Sequence, residues 1–244
     1  MPAKLIRDDG GVKIWELLGS GDEGRVEALL GLYGRLFPQY AHYIPRMKRR
    51  SAFPGQQRAG HVVHYWLAEV DGQPAALRTF RYVRGRHCGL AHALAVDPDY
   101  REAMVNGQRL SIYIVRACLE QVIADAKRLG DTPPLGMVNE VAYSALMDHY
   151  VRNGLTQLPV KYEEPIFPPS QEGLTREEEI AQIHFSPMHL GFLPNPALGA
   201  IEYTCPMLED FALAFLVDHY GLPGDHPKVQ EILQSIPVQE LNHG

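Results

Sequence analysis

Three apolar runs of strand length, separated by turn chemistry, constrain this chain more than any other feature. They are HYWLAEV (64–70), AALRTFRYV (75–83) and CGLAHALAV (88–96). DGQP (71–74) lies between the first two and RGRH (84–87) between the last two. Connections this short cannot carry a crossover, so the three runs predict an antiparallel meander. Asp97 and Pro98 stop the third strand. A long helix is then predicted over about 106–129, with Leu110, Ile114, Ala117, Cys118, Val122 and Ala126 as its apolar stripe. Gly130 closes it.

Other elements surround this frame. VKIWELL (12–18) reads as a strand and GSGDEG as a turn. Val26, Leu29, Leu30, Leu32, Tyr33 and Leu36 give residues 23–37 a helical period that Pro38 ends. Residues 46–60 read as a loop that carries the basic run Arg46-Met47-Lys48-Arg49-Arg50. LGMVNE (135–140) is a short strand, 141–152 a helix ending at Asn153-Gly154, and LTQLPVKYEEPIF a strand region. Residues 168–198 are proline-rich without a clear period and read as an irregular insertion. GAIEYTC (199–205) reads as a last strand, 207–220 as a helix with Leu208, Phe211, Phe215 and Val217 inward, and 227–235 as a short helix. Strands that precede and follow long helices in this order predict an α+β fold: a mixed, mostly antiparallel sheet with helices on both faces and a C-terminal helical extension.

Composition narrows the function. A net charge of -6 over 244 residues argues against nucleic-acid binding. No apolar run reaches membrane-spanning length, and MPAKLIRDDGG lacks the apolar core of a secretory signal. Cys88, Cys118 and Cys205 are odd in number and widely spaced, which fits neither a disulfide framework nor a zinc site, so a reducing cytoplasm is expected. Cys88 and Cys118 read as core residues. His184 and His189 lack helical metal spacing and a third ligand, so no metal is expected.

AEVDGQPAA, then LAVDPDYR, then a helix, then Tyr150-x-x-x-Gly154-Leu155 is similar to the GNAT superfamily of N-acetyltransferases, over residues 12–167. The resemblance implies a GNAT-like core over 1–167, with 168–244 completing the same domain. It implies a splayed central pair, strand 88–96 parting from 135–140 at its C-terminal end. It implies acetyl-CoA or another acyl-CoA as donor, with pantetheine pairing along His92–Val96 through Leu94, Ala95 and Val96. The pyrophosphate would sit on the loop Arg101, Glu102, Met104, Val105, Asn106, Gly107 and Gln108, at a helix N-terminus. The sequence departs from the family's glycine loop: Met104 occupies the first glycine position and Asn106 the second, while Gly107 fits the second only with a one-residue insertion, which also places Leu110. Asn106 and Gly107 both accept left-handed backbone, so a turn is retained. Acyl-homoserine-lactone synthases and N-acyl amino acid synthases also resemble this fold, lack the tidy glycine loop and take acyl chains from acyl carrier protein.

The resemblance also assigns chemistry. Aminolysis of a thioester needs a neutral amine, a donor for the carbonyl oxygen and a proton for the leaving thiolate. Tyr150 matches the tyrosine that protonates the thiolate. His92 lies nine residues before Arg101, on the strand where arylalkylamine-type acetyltransferases place a histidine that takes the amine proton. Glu69 and Glu140 are rival bases at strand ends. Asn139 resembles the family's asparagine before the helix, one turn too far from Tyr150, and Tyr143 stands at the family's spacing. The basic run 46–50 reads as a solvated loop, or as a hold for an acidic carrier or a phosphate.

Three readings follow: an acyl-CoA dependent N-acyltransferase, a carrier-protein dependent N-acyl amino acid synthase, and a noncatalytic acyl-CoA-binding module. The expected partners are a small amine and, under the second reading, acyl carrier protein. A homodimer is compatible with the sequence; nucleic acid and membrane are not expected. Residues 183–195, rich in Phe185, Met188, Leu190, Phe192 and Leu193, are expected either to fold over the acceptor mouth or to pad the sheet or form a dimer contact.

Overall fold

The computed structural model describes residues 2–53, 60–169 and 174–237. The fold is α+β, with a mixed, mostly antiparallel sheet flanked by helices. The packing divides the chain into two compact units. One holds the residues up to Tyr82 together with Ala91–Leu129. The other holds Val83–Leu90 and the residues from Gly130 onward.

The first unit opens with a hairpin of β1 (Lys4–Asp9), which the sequence reading does not include, and β2 (Val12–Glu16), which it expects as the strand 12–18. Gly10 and Gly11 turn it at φ 57 and 86. Successive positive φ values suit the twist of a two-residue hairpin. Helix α1 (Glu23–Leu36) follows, its first turn capped by the Asp22 carboxylate accepting from the Arg25 N–H at 3.1 Å. Pro38–Tyr43 continue as a 3₁₀ turn and lead into α2 (Ile44–Ala52). The run Arg46–Arg50 is therefore helical and not a loop; the sequence after Phe53 expected to be loop falls at 54–59, outside the described residues. Strand β3 (His61–Val70), the left-handed pair Asp71 and Gly72 (φ 49 and 78), β4 (Gln73–Val83) and β5 (Cys88–Val96) form the expected meander. In sheet order the strands run β1-β2-β3-β4-β5. Leu29, Tyr33, Met47, Tyr65, Leu67, Leu77 and Ala95 are buried together where α1 and α2 pack on the strands.

After β5 the helix begins later than expected. Residues 104–109 make a second small hairpin, β6 (Met104–Val105) and β7 (Gln108–Arg109), with Asn106 and Gly107 at its tip (φ 49 and 78). Left-handed residues cannot enter an α-helix, so α3 spans Leu110–Leu129.

The second unit contains the opening residues of β5 and, past the α3 crossover, β8 (Gly136–Val141) beside them. Strands that a crossover helix connects run parallel. Helix α4 (Ser144–Val151), β9 (Thr156–Gln157) and β10 (Tyr162–Ile166) follow. Residues 130–167, read with the N-terminal core in the sequence, pack here with the C-terminal elements.

The segment 168–198 differs most from expectation. It contains α5 (Arg176–Ala181), started by a Thr175–Glu178 capping box, and the 11-residue strand β11 (His184–Pro194). Strand β11 pairs antiparallel with β8 through 189–194 and with β10 through 184–188. Residues 184–194 are thus a strand of the sheet, which meets the expectation that the segment pads the sheet and corrects the alternative of a lid. The prolines misled: Pro187 lies in the half of β11 paired only with β10, where one side of the strand makes no ladder and a missing N–H is tolerated.

Residues 199–205 are not the expected strand. Extended chain there packs Ile201 and Tyr203 against the core before α6 (Cys205–Leu213). The helix then widens over Ala214–His219, where the Tyr220 N–H reaches the Phe215 carbonyl five residues back at 2.9 Å. That extra residue per turn moves the register, so Leu216 is buried and Val217 only half so. Helix α7 (Pro227–Gln234) closes the described chain.

Candidate active site

Strand β5 carries Leu94, Ala95 and Val96, which the sequence reading expects to meet the donor. Cys88 and Leu90 sit in the core of the second unit; from Ala91 the strand belongs to the first. Ala95 is buried against α1, while Leu94 and Val96 are half-buried. Beyond them the Asp97 N–H bonds the Ala75 carbonyl at 2.8 Å, and the Asp97 carboxylate pairs with Arg35 at 2.5 Å and caps Asp99. The expected pyrophosphate loop is the β6–β7 hairpin. Arg101, Glu102, Asn106 and Gly107 are exposed, Met104 is 59% exposed, Val105 is buried and Gln108 half-buried. Arg109 pairs with Glu102 across the hairpin base, and the Leu110 N–H is held by the Ala103 carbonyl at 2.9 Å.

His92 differs from a ready base. Its Nε2 accepts the Arg81 Nε–H at 3.0 Å, and Arg81 Nη1 lies 3.4 Å from His61 Nδ1. Arginine only donates, so the His92 Nε2 lone pair is engaged and the neutral ring carries its proton on Nδ1. Burial, then Arg81, Arg78, Arg50 and His61, hold its pKa well below the usual imidazole range. At neutral pH His92 is a neutral ring with a donor N–H. Glu69 is likewise engaged: it accepts from Trp15 Nε1 at 2.8 Å and Arg25 Nε at 2.9 Å.

In the second unit, Asn139 is buried on β8 and its Nδ2 donates to the Met137 carbonyl at 3.1 Å. Its register partner is Gly191, where a Cβ would lie 3.1 Å from Met147 of α4. Asn139 therefore faces α4. Tyr150 is buried in the last turn of that helix, its carbonyl accepting from the Asn153 and Leu155 N–H groups at 2.9 and 3.1 Å. Gly154 at φ 101 ends the helix. Tyr143, at the N-cap position, is 71% exposed.

Glu140, one residue on, lies on the other face. Its partner Leu190, together with Met188 and Ser186, shares a face of β11, and those two pair with Tyr162 and Glu164 of β10. Period-two pleating thus gathers Glu140, Tyr162 and Glu164 on one side. Tyr162 donates to Glu140 Oε1 at 2.5 Å, and the Tyr220 hydroxyl lies 2.9 Å from Glu140 Oε2 and 3.0 Å from Glu164 Oε1. Burial first, then the Glu164 carboxylate, push the Glu140 pKa well above the carboxylate range.

Sequence reasoning named Glu140 as a rival base and missed its companions. Tyr162 and Glu164 stand two apart in a strand, a detectable same-face pair. Tyr220 reaches them only through the widened helix, which leaves no sequence signature. Arg78 and Arg81, in the otherwise apolar run AALRTFRYV, were a signal of buried charge not drawn upon.

No family model and no curated protein matches the chain. Similar solved structures include RimL, a ribosomal L7/L12 alpha-N-protein acetyltransferase in complex with coenzyme A (14% identity, 80% of this chain and 99% of that one, TM-score 0.48). They also include the ribosomal-protein-S18-alanine N-acetyltransferase from Escherichia coli (18%, 78% and 99%, 0.42). A third is the PaiA N-acetyltransferase from Thermoplasma acidophilum in complex with coenzyme A (12%, 75% and 98%, 0.41).

Proposed function

We propose that this chain is a GNAT-type N-acyltransferase that moves an acyl group, acetyl in the first instance, from coenzyme A to an amine of a small molecule or peptide. The observation that carries the reading is the place of β5 between β4 and β8 in the sheet, followed at once by the exposed hairpin of β6 and β7. The family resemblance implies that such a strand parts from its following neighbour toward its C-terminal end, and an extended pantetheine arm suits an edge of that kind. Leu94, Ala95 and Val96 are the residues proposed to receive it. The hairpin Arg101–Gln108 is proposed to take the pyrophosphate, and Asn139 to bind the donor on the α4 side of β8. Tyr150 gives its phenolic proton to the leaving thiolate, and neutral His92 offers an N–H to the acyl carbonyl oxygen.

Titration calorimetry with acetyl-CoA, joined to mass analysis of products across donors and amines, tests this. Binding with amide formation is expected; neither, with any acyl thioester, removes the reading. A donor presented by acyl carrier protein is the second reading. It is favoured by the exposed Arg46, Lys48 and Arg49 on α2, a basic face suited to an acidic carrier, and by a hairpin in place of a glycine loop. Turnover with acyl-carrier donors and none with acyl-CoA would select it.

A further inference from the structure

Three side chains from three neighbouring strands stand in one chain of contacts: His61 on β3, Arg81 on β4 and His92 on β5. Arg81 Nε lies 3.0 Å from His92 Nε2, and Arg81 Nη1 lies 3.4 Å from His61 Nδ1. Arg81 and His61 are both buried. A guanidinium has N–H donors and no acceptor, and it keeps its charge throughout the pH range of a folded protein. Each imidazole nitrogen that it meets must therefore present a lone pair. At His92 this settles the ring: with Nε2 accepting, the one proton of the neutral form is on Nδ1. A proton added at Nε2 would set N–H against N–H. We infer that Arg81 is a positioning residue for acyl transfer, which fixes His92 in the Nδ1–H form and in one ring orientation while His61 holds the guanidinium from β3. The catalytic part rests on the reading above, in which His92 donates to the acyl carbonyl oxygen; the fixing of the ring does not.

The sign of the partner matters. A carboxylate that orients a histidine raises the basicity of the ring and makes it a base. A guanidinium orients the ring as firmly, because the donor of the bond is ionised, but acts with the opposite charge. It lowers the basicity of the ring and leaves a hydrogen-bond donor. The surroundings act in the same sense. Burial opposes a second proton on His92 most strongly, followed by Arg81 and Arg78 of β4, Arg50 of α2 and His61 of β3. Tyr33 of α1 and Tyr65 of β3 are titratable side chains in the core that Ala95 of β5 shares with both elements.

A histidine without such a partner divides near neutrality between two neutral tautomers and the imidazolium. A group that must donate from one nitrogen, in one direction, is out of place in the other forms and orientations. The Arg81 contact removes the Nε2–H tautomer and opposes the imidazolium by geometry, before any substrate binds. His61 extends the control to a third strand, since its Nδ1 accepts from the same guanidinium and limits where Arg81 can turn. The His92 N–H is thus set by side chains on β3 and β4, neither of which needs to touch the reacting atoms.

Two measurements test the inference. The first is nitrogen NMR of the free protein with isotope-labelled imidazoles, His92 being assigned by the signals lost in His92→Gln. Protonated and lone-pair ring nitrogens resonate far apart. His92 is expected to show a protonated Nδ1 and a lone-pair Nε2 between about pH 5 and 8. Arg81→Met should admit the Nε2–H form. Arg81→Lys, which keeps a cationic donor, should retain the Nδ1–H form at least in part. A wild-type ring with its proton on Nε2, or one that gains a second proton in this range, overturns the inference, as does an Arg81→Met ring unchanged from the wild type. The second is kinetic, with acetyl-CoA and the best amine of the product screen. Arg81→Met should lower kcat about 5- to 100-fold while the Kd for acetyl-CoA stays within about twofold. Arg81→Lys should recover rate in step with the Nδ1–H form. An Arg81→Met protein whose ring has changed form while kcat has not overturns the positioning role. If Arg81→Met does not fold, the wild-type spectra and Arg81→Lys still decide. Wild-type protein that transfers no acyl group removes the functional reading and the catalytic part with it, while the spectra still decide whether Arg81 fixes the ring.

Discussion

The His64 Nε2 atom lies 2.7 Å from the Asp125 carboxylate of α3, and Glu16 of β2 approaches the ring's other nitrogen at 2.5 Å. An imidazole between two carboxylates can satisfy both only as the cation, since the neutral ring has a single N–H. Burial alone would lower its pKa, but Asp125 and Glu16 outweigh it and raise His64 to about 9. Glu16 further accepts from the Tyr65 N–H and Trp66 Nε1 at 3.1 Å, so β2, β3 and α3 meet on one buried ion triad.

Stability should therefore depend on pH in a defined window. A raised histidine pKa stabilises the fold fully below its unfolded value near 6.5, and the contribution fades as pH rises through about 9. The amount is about 3 kcal/mol, at 1.36 kcal/mol per unit. Asp125, lowered overall because His64 outweighs the upward push of burial, adds stability above its ordinary value that is lost as acid protonates it. Urea midpoints are expected to hold between about pH 5 and 7 and to fall from pH 7 to 10. His64→Gln should cost about 3 kcal/mol at pH 6 and much less at pH 10. A mutant with the same penalty at both would contradict the charged triad.

Gly136 opens β8 where the chain leaves no room. A Cβ there would stand 2.3 Å from the Leu193 carbonyl oxygen and 2.6 Å from the Phe192 ring, and Phe192 is fully buried. Gly136→Ala must displace backbone, at a cost of about 3 kcal/mol. Calorimetry should show Tm reduced by on the order of 5–10 °C. An unchanged Tm would mean that β8 and β11 are not this close.

Gly107 makes a contrasting test. Its φ is 78 and no atom lies near its missing Cβ, so Gly107→Val brings backbone strain of about 1–2 kcal/mol and no clash. If the hairpin tip binds donor pyrophosphate, the Kd for coenzyme A should rise about tenfold or more, while Tm falls by about 2–8 °C from the backbone strain. Equal affinity in mutant and wild type would remove the hairpin from the donor site.

Tyr150→Phe is expected to lower kcat about 10- to 1000-fold while the Kd for donor stays within about twofold, as for loss of one general acid. Tyr150 is buried, so the ring must be kept and only the hydroxyl removed. Full turnover in the folded mutant would show that the thiolate leaves without this proton.

Local chemistry alone determined the meander and its turns. Asp71-Gly72 favours the left-handed backbone of a tight turn, and the apolar runs on either side of it are of strand length, whereas Asn106-Gly107, which the sequence reading puts at the start of the helix, forms a hairpin tip instead. Helix α1, helix α4 and the core of α3 were legible for the same reason: their apolar periods are carried by neighbouring residues. Tyr150, His92 and Asn139 became candidates through the family resemblance, and Glu140 through its place at a strand end. Other facts came from pairing across long separations. His184–Pro194 reads as a proline-rich irregular segment until β8 and β10 bracket it, since a strand's stability lies in its partners more than in its own residues. Arg81 at the Nε2 of His92, and Tyr220 between Glu140 and Glu164, depend on register and on one extra residue in a helical turn. These contacts decide which group is basic. No pattern along the chain encodes them, because proton affinity is set by what burial and folding bring within a few ångströms.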